Sequence, residues 1–381
     1  MADTAPPSEE YRVSTLELFF DLVFVFTLTQ LSTLLAADPS PAGVLRVVLV
    51  FVLVWWMYAA YAWLTNATPP DRAYRRVLLI LGMAGFLICA LAIPGVYRHG
   101  GLAFGLGYLV VVAVHTGLYG VVHPGATLRF GSLNLLMAGL VLLGGVVGPP
   151  VGYALWVAAI GMEIVTPIVT RRTSPELRLR PRLFVERHGL LLIIALGESV
   201  VAIGIGASGM PLDLSTVGGA ALGLALAAAL WWSYFGGDDE AAERVLVAAS
   251  YGQQARLAIN AYFYAYVPML LGIVAAAAGV KKTLGHLPEP LGWGAAALLG
   301  GGVAAYLLGE AMFRRMTRIG SAGNRLVAAV AALAAIGIGA WITAVAQLAA
   351  LVVILALMLG YDARTRAALS ARAARSEAGS A

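Results

Sequence analysis

The chain of 381 residues is 60% hydrophobic and only 12% charged, and its mean hydropathy is +0.85. These values exclude an ordinary soluble domain, in which about a quarter of the residues are charged. The net charge of +5 does not favour nucleic-acid binding, because attraction of Arg-rich loops to anionic lipid headgroups explains it. Cys89 is the single cysteine, so neither an intrachain disulfide nor a cysteine-based metal site is predicted.

Long apolar stretches recur along the whole chain and predict an all-α polytopic membrane protein. A run of about 18 or more apolar residues can cross the bilayer as a helix, whereas the strands of a membrane barrel would alternate apolar and polar residues. Only a short uncharged corner at 341–344 separates the last two predicted helices, and the amphipathic segment 241–254 could extend the ninth. The twelve predicted spans are 14–37, 43–65, 76–97, 102–122, 127–147, 151–170, 188–208, 213–235, 256–279, 291–312, 325–342 and 344–361.

The distribution of basic residues predicts the orientation of these helices. Lys and Arg in short loops stay preferentially in the cytoplasm. All but Arg46, Arg98, Lys281 and Lys282 fall in the N-terminal segment, in every second loop or in the C-terminal tail. This asymmetry predicts an even number of spans with both termini cytoplasmic. The N-terminus has no basic region of the kind that opens a signal peptide, so the first helix is expected to remain in the protein.

An acid followed one helix later by two tryptophans and a tyrosine occurs twice. Asp21 precedes WWMY at 55–58, and Glu198 precedes WWSY at 231–234. The pattern predicts two parallel six-helix repeats, in which the two acids should occupy equivalent places. The predicted segments are an N-terminal segment 1–13, a first half 14–170, an Arg-rich linker 171–187, a second half 188–361 and an Arg/Ala-rich tail 362–381.

Ionisable side chains inside the membrane are functional candidates, because burying them is costly. Glu17 follows Ser14 by three residues and is interpreted as part of a capping box. Asp21, one turn further on the same face, either pairs with a basic group, bonds another helix in its protonated form, or binds an ion. Glu198 lies eleven residues after Arg187, roughly 16 Å along the helix axis. That separation excludes an intrahelical salt bridge and leaves a partner on another helix, a proton or a water-filled path.

The tryptophan-rich motifs have two interpretations. They could anchor helices at the membrane interface, or they could form a site for a cation or an amphipathic solute together with the nearby acids. Among other polar residues, Glu310 could pair with Arg314 one turn later. The candidate ion- or substrate-binding residues are Asp21, Glu198, Trp55, Trp56, Tyr58, Trp231, Trp232 and Tyr234, and the second-rank candidates are Glu163, His115, Glu310, Glu186, Arg187 and His188.

Four blocks resemble a known bacterial family. They are LELFFDLVFVF at 16–26, WWMYAAYAWLTN at 55–66, FVERHGLLLIIALGESVVAIG at 184–204 and WWSYF at 231–235. Together they are similar to the low temperature requirement protein A family, LtrA. The resemblance implies a multi-pass protein of the bacterial cytoplasmic (inner) membrane, in a family named for a requirement for growth in the cold.

Three functions are compatible with these residues. The leading hypothesis is a transporter or channel for a small ion or solute that uses Asp21 and Glu198 as proton or cation sites. The second is an intramembrane enzyme acting on a lipid or isoprenoid, in which Glu186, Arg187 and His188, with Glu198, offer acid, base and phosphate-binding groups. The third is a membrane scaffold or sensor. The lipid bilayer and a small ion or solute are the expected partners, whereas cofactors and oligomeric state stay open.

Overall fold

The computed structural model describes residues 13–122, 124–170 and 179–378, and no strand occurs in this part of the chain. The remainder of the predicted N-terminal segment, the start of the linker at 171–178 and the last residues of the tail lie outside it. The helices are α1 Thr15–Ala37, α2 Pro41–Ala67, α3 Ala73–Ala92, α4 Gly101–Val122, α5 Pro124–Val147, α6 Val151–Thr170, α7 Pro181–Gly206, α8 Leu214–Phe235, α9 Asp238–Ala248, α10 Tyr251–Leu257, α11 Tyr266–Leu284, α12 Trp293–Thr317, α13 Gly323–Trp341 and α14 Ala344–Ala378.

Most of these helices are built to cross a bilayer. Within the described residues, ten helical stretches have the length and apolar composition that a membrane span needs. Helices α5 and α6 also carry apolar stretches, Gly131–Val147 and Val151–Val165. The protein is therefore a helical membrane protein, and the number twelve stays a prediction.

Side-chain caps begin three long helices of the described chain, α1, α2 and α8. The predicted capping box is confirmed: the Ser14 hydroxyl accepts a hydrogen bond from the Glu17 amide, and the Glu17 carboxylate accepts one from the Ser14 amide. Asp213 caps α8 in the same way by accepting from the Thr216 amide at 2.8 Å. This bond holds the pKa of the Asp213 carboxyl below its ordinary value.

The start of α7 differs from the prediction. The helix begins at Pro181, seven residues before the predicted boundary at 188, and Arg187 lies inside it. Proline is tolerated in the first turn of a helix, and Asn66 of α2 holds the backbone of Arg180 through its side-chain oxygen and nitrogen. The charged residues that suggested a loop continue into the helix because Arg187 finds buried acids on α1.

Two further boundaries agree with the sequence. The corner between the last two helices falls between Trp341 and Ala344, so α13 and α14 are separate helices. The amphipathic segment before the ninth span is helical as α9 and α10, which are interrupted where Ser250 caps α10. A π-helical stretch, Ala258–Tyr264, then connects α10 to α11.

Helices in corresponding positions pack against each other in the same order in the two parts of the chain. In the first part α1 packs against α3, α3 against α4, α4 against α5, and α5 against α6. In the second part α7 packs against α11, α11 against α12, α12 against α13, and α13 against α14. The α11–α12 contact is close because Gly272 and Gly302 face each other's helix, and a Cβ on Gly272 would lie 2.5 Å from the Tyr306 nitrogen. Helices α1, α7 and α11 join the two parts.

Candidate functional site

Helices α1 and α7 run side by side in the same direction. Near the start of α7, Arg187 contacts Glu17 and Asp21 of α1. Eleven residues further along α7, Glu198 contacts Thr29, which lies eight residues beyond Asp21 on α1. Because both sets of contacts advance together along the two helices, α1 and α7 are parallel neighbours.

Arg187 forms a buried ion-pair cluster with α1 and α2. Its Nη1 donates to the Glu17 carboxylate at 3.1 Å, and its Nη2 donates to Oδ1 of Asp21 at 3.0 Å. The Nη1 group also donates to the Thr65 hydroxyl, and Tyr58 donates to Oδ1 of Asp21 at 2.9 Å. All five side chains are buried. Of the alternatives for Asp21, the structure has the pairing with a basic group, and that group comes from α7.

The residues of the enzyme hypothesis do not converge. Glu186 is exposed, whereas Arg187 and His188 are buried. Nδ1 of His188 is bonded to the Phe184 carbonyl at 2.8 Å, and because a carbonyl can only accept, the ring donates there. With Arg187 bound to two acids, neither a free cation for a phosphate nor an acid–base pair is formed by these three neighbours.

Glu198 is a buried carboxyl without a basic partner. Its side chain is only 3% exposed, and no Lys, Arg or His of the described chain forms an ion pair with it. Oε2 accepts from the Thr29 hydroxyl at 2.6 Å, and Oε1 lies 2.7 Å from the Ser32 hydroxyl. The distance of roughly 16 Å along α7 between Arg187 and Glu198 separates this site from Asp21. The expectation that the two acids occupy equivalent places is therefore wrong.

The Ser32 hydroxyl beside Glu198 has two acceptors within reach. The Ser32 oxygen lies within hydrogen-bond distance of both the Glu198 carboxyl and the Thr29 carbonyl, at 2.7 and 3.1 Å. A serine hydroxyl has a single hydrogen to donate, although it can accept as well. Since Thr29 lies within α1, its carbonyl already accepts the backbone hydrogen bond of the helix, so the Ser32 hydrogen is available to Glu198.

The first tryptophan motif lies in the interior. Trp55 is 1% exposed and stacks on Tyr58 and Phe263, with ring centroids 5.5 and 6.0 Å apart. Its Nε1 donates to the Phe263 carbonyl at 3.2 Å. Trp56 is half-buried with its ring against the edge of Phe263. This motif therefore joins α2 to the π-helical stretch and reaches the Asp21 cluster through Tyr58.

The second tryptophan motif faces outward. Trp231 and Trp232 are 41% and 60% exposed, as expected for side chains that anchor a helix at the lipid interface. Ser233 and Tyr234 are buried, and the Tyr234 hydroxyl lies 2.8 Å from that of Tyr266. The two motifs are similar in sequence and each contacts a buried acid, Asp21 through Tyr58 in the first and Glu310 through Ser233 in the second, but only the first buries its leading tryptophan.

The second-rank acid Glu163 and the histidine His115 belong to the packing of the first half. Tyr108 donates to Glu163 at 2.5 Å between α4 and α6. His115 packs its ring against Tyr61 and Tyr119. These contacts favour structural roles, and no group of three His, Cys, Asp or Glu side chains in the described residues could hold a metal ion.

Glu310 belongs to a second buried polar cluster. It accepts from the Ser233 hydroxyl at 2.7 Å and lies 3.4 Å from Nε of Arg325 on α13. The suggested pairing with Arg314 is wrong, because the guanidinium of Arg314 points to Asp238 and binds both of its carboxylate oxygens at 2.5 and 2.8 Å. The sequence signal for this cluster is a group of basic residues at the end of α12 and the beginning of α13, namely Arg314, Arg315 and Arg325.

The sequence comparison covers all the helices that carry these sites. Residues 12–360 match the family model described as Bacterial low temperature requirement A protein (LtrA). The chain belongs to the LtrA family. Another protein similar to it is Uncharacterized protein RA0937 of Rhizobium meliloti (strain 1021), which is 28% identical over 334 residues. That match spans 81% of this chain and 79% of the relative. The LtrA match includes both ends of the α1–α7 contact.

Proposed function

We propose that this LtrA-family protein is a membrane transporter that couples the movement of a small solute to protons, with Glu198 as the proton-binding residue. The observation that carries the proposal is a buried carboxyl between the first helices of the two halves, with hydroxyl partners and no basic partner among the described residues. Intramembrane carboxyls of this kind are typical of proton relays in pumps and transporters.

In this proposal Glu198 binds and releases a proton within the contact between α1 and α7. Two hydroxyls contact the carboxyl, and no cation of the described residues pairs with it. Release of the proton leaves a buried charge that draws in water or a cation. Either response changes the contact between α1 and α7, which a transporter could use to couple protonation to movement.

The architecture in this proposal is two parallel six-helix repeats, with twelve spans in the inner membrane and both termini cytoplasmic. The equal order of helix packing in the two parts supports the repeat, and the distribution of Lys and Arg supports the orientation. In this repeat Asp21 and Glu198 are not equivalent positions. Reporter fusions to each loop test the twelve spans and their orientation, because a domain active only in the cytoplasm should signal from alternate loops.

Arg187 has a different role in this proposal. Its contacts with Glu17, Asp21 and Thr65 connect α7 to two helices of the first half. The cluster therefore holds the beginnings of α1 and α7 together, while the polar contact at Glu198 is free to change deeper in the membrane. Asp21 is a partner of Arg187 here, and it carries no transported ion.

The experiment uses purified full-length protein in sealed liposomes with a pH-sensitive dye inside. A membrane potential drives protons inward, and proton uptake is compared for the native protein, Glu198→Gln and Glu186→Gln. The control removes the same charge from an exposed position of the same helix. Glu198→Gln should lose most of the uptake, and the control should keep it.

An infrared difference spectrum between acid and alkaline pH provides a readout that needs no knowledge of the solute. A protonated carboxyl band that titrates in the native protein should be absent from Glu198→Gln and present in Glu186→Gln. Equal spectra and equal proton uptake for the native protein and Glu198→Gln would refute Glu198 as the proton site.

A further inference from the structure

A large groove opens between α9, α13 and α14, away from the α1–α7 contact. Its volume is about 840 Å³, within the usual range for sites that enclose an organic ligand. Val327 of α13 and Leu357 of α14 line it and are 72% and 70% exposed, so the groove faces the lipid. Tyr361, at the polar end of the apolar part of α14, also lines it.

The lining changes from polar to apolar along the groove. Helices α13 and α14 are joined by a tight corner, so the beginning of α13 lies beside the later part of α14. At that end the groove is lined by Asn324 and Arg366, and at the other end by Ala331 and Ile354. Arg366 lies twelve residues after Ile354, which corresponds to roughly 18 Å along a helix. The groove therefore has the amphipathic character and the direction of a lipid that stands in the membrane.

The charges at the polar end leave two arginines in excess. Asp238 pairs with Arg314, and Asp362 pairs with Arg314 and Arg325. The two acids that line the groove are thus already neutralised by cations of the interior.

Arg244 and Arg366 are the other two charged residues of the lining. Both are exposed, and neither forms an ion pair with an acid of the described residues. Arg244 donates Nε to the Glu240 carbonyl at 3.3 Å, and Arg366 donates Nη1 to the Gly236 carbonyl. Each guanidinium has five N–H groups, so both retain donors for an anion.

We propose that this groove is a binding site for a phospholipid with an anionic headgroup. Arg244 and Arg366 bind the headgroup phosphate, and the acyl chains lie along the apolar walls of α13 and α14. Basic pockets between helices at a membrane surface bind anionic headgroups in this way. The site is independent of proton binding at Glu198.

The test titrates the purified full chain in a neutral detergent with a fluorescent phosphatidylglycerol, and with phosphatidylcholine carrying the same label. Each basic residue near a membrane surface contributes about a fivefold gain in affinity for anionic lipid. The double variant Arg244→Gln/Arg366→Gln should therefore bind phosphatidylglycerol roughly 30-fold more weakly and phosphatidylcholine within about twofold of the native protein. The control Arg98→Gln/Arg364→Gln removes the same charge from exposed positions outside the groove and should retain binding.

A second variant tests the apolar part without changing charge. Ala331→Trp fills the groove and should weaken the binding of both lipids while leaving the melting temperature near that of the native protein. Equal loss in the control double variant, unchanged binding by Ala331→Trp, or displacement of the lipid by glycerol 3-phosphate at similar concentration would each overturn the lipid site.

Discussion

Replacement of Arg187 by glutamine should be among the most damaging single changes in the protein. The guanidinium satisfies Glu17, Asp21 and Thr65 within the interior. Without it, Asp21 retains only the Tyr58 hydroxyl as a donor among the described residues, and two buried carboxylates face each other without a cation. Removing one partner of a buried ion pair typically costs about 3–5 kcal/mol, because the remaining charge stays desolvated.

The size of this loss in the free energy of unfolding follows from the hydrogen bonds of Arg187 and from the lower repulsion between the two acids once Asp21 is protonated. Each hydrogen bond to a charged group contributes about 1.5–3 kcal/mol, and Arg187 makes such bonds to both acids. Protonation of Asp21 removes part of the repulsion, so the total stays within about 3–5 kcal/mol. Adding Asp21→Asn to Arg187→Gln should recover about 2 kcal/mol of the loss, because the uncompensated charge is then gone.

Equilibrium unfolding in mixed detergent micelles, followed by tryptophan fluorescence, measures these free energies. Arg182→Gln is the matched control: Arg182 is on the same helix but 79% exposed, and it pairs with Glu243 at 3.5 Å. A surface pair of this kind contributes about 0–1 kcal/mol. The reasoning is refuted if Arg187→Gln costs no more than Arg182→Gln, or if the losses in Arg187→Gln and Asp21→Asn simply add.

Three further changes test the packing by the same unfolding measurement. Trp55→Ala should lower the free energy of unfolding by about 3 kcal/mol, at the low end for buried aromatic residues because lipid is itself apolar. Trp232→Ala should lower it by less than about 0.5 kcal/mol. Similar losses in the two variants would contradict the buried position of Trp55 and the exposed position of Trp232. Gly302→Ala should cost about 1–3 kcal/mol, since its Cβ would lie 2.8 Å from a carbonyl oxygen of α11, while Gly301→Ala meets nothing within 4 Å and should be neutral or stabilising. Ser14→Ala removes the α1 cap and should cost about 1 kcal/mol, and an unchanged stability would argue against the capping box.

The sequence predicted the elements of the fold well because their signals are local. Apolar length located the spans, and Ser14 with Glu17 predicted the start of α1. The boundary of α7 was misplaced because the charges around Arg187 resemble those of a loop. Charge alone does not separate a loop from a helix that carries its arginine to a buried partner, and the acids that accept Arg187 are on another helix.

The partner of Asp21 could not be read from local patterns. The bond joins residues 166 positions apart, and only the parallel contact of α1 with α7 brings them together. One signal pointed to it: if the first helices of two parallel halves are neighbours, residues early in each helix lie at the same depth. Arg187 and Asp21 are the seventh residues of their helices as the structure has them. The same reasoning would have separated Asp21 from Glu198.

The distance in sequence between Asp21 and Arg187 has a consequence for synthesis of the protein. At about 5–20 residues per second, the ribosome makes Arg187 roughly 8–30 seconds after Asp21. During that time α1 carries two acids, Glu17 and Asp21, whose cation does not yet exist. The early helices must therefore wait at the insertion machinery, or keep their acids protonated or hydrated, until α7 arrives. A first half made alone would lack its own counter-ion, and supplying the second half as a separate chain should rescue it.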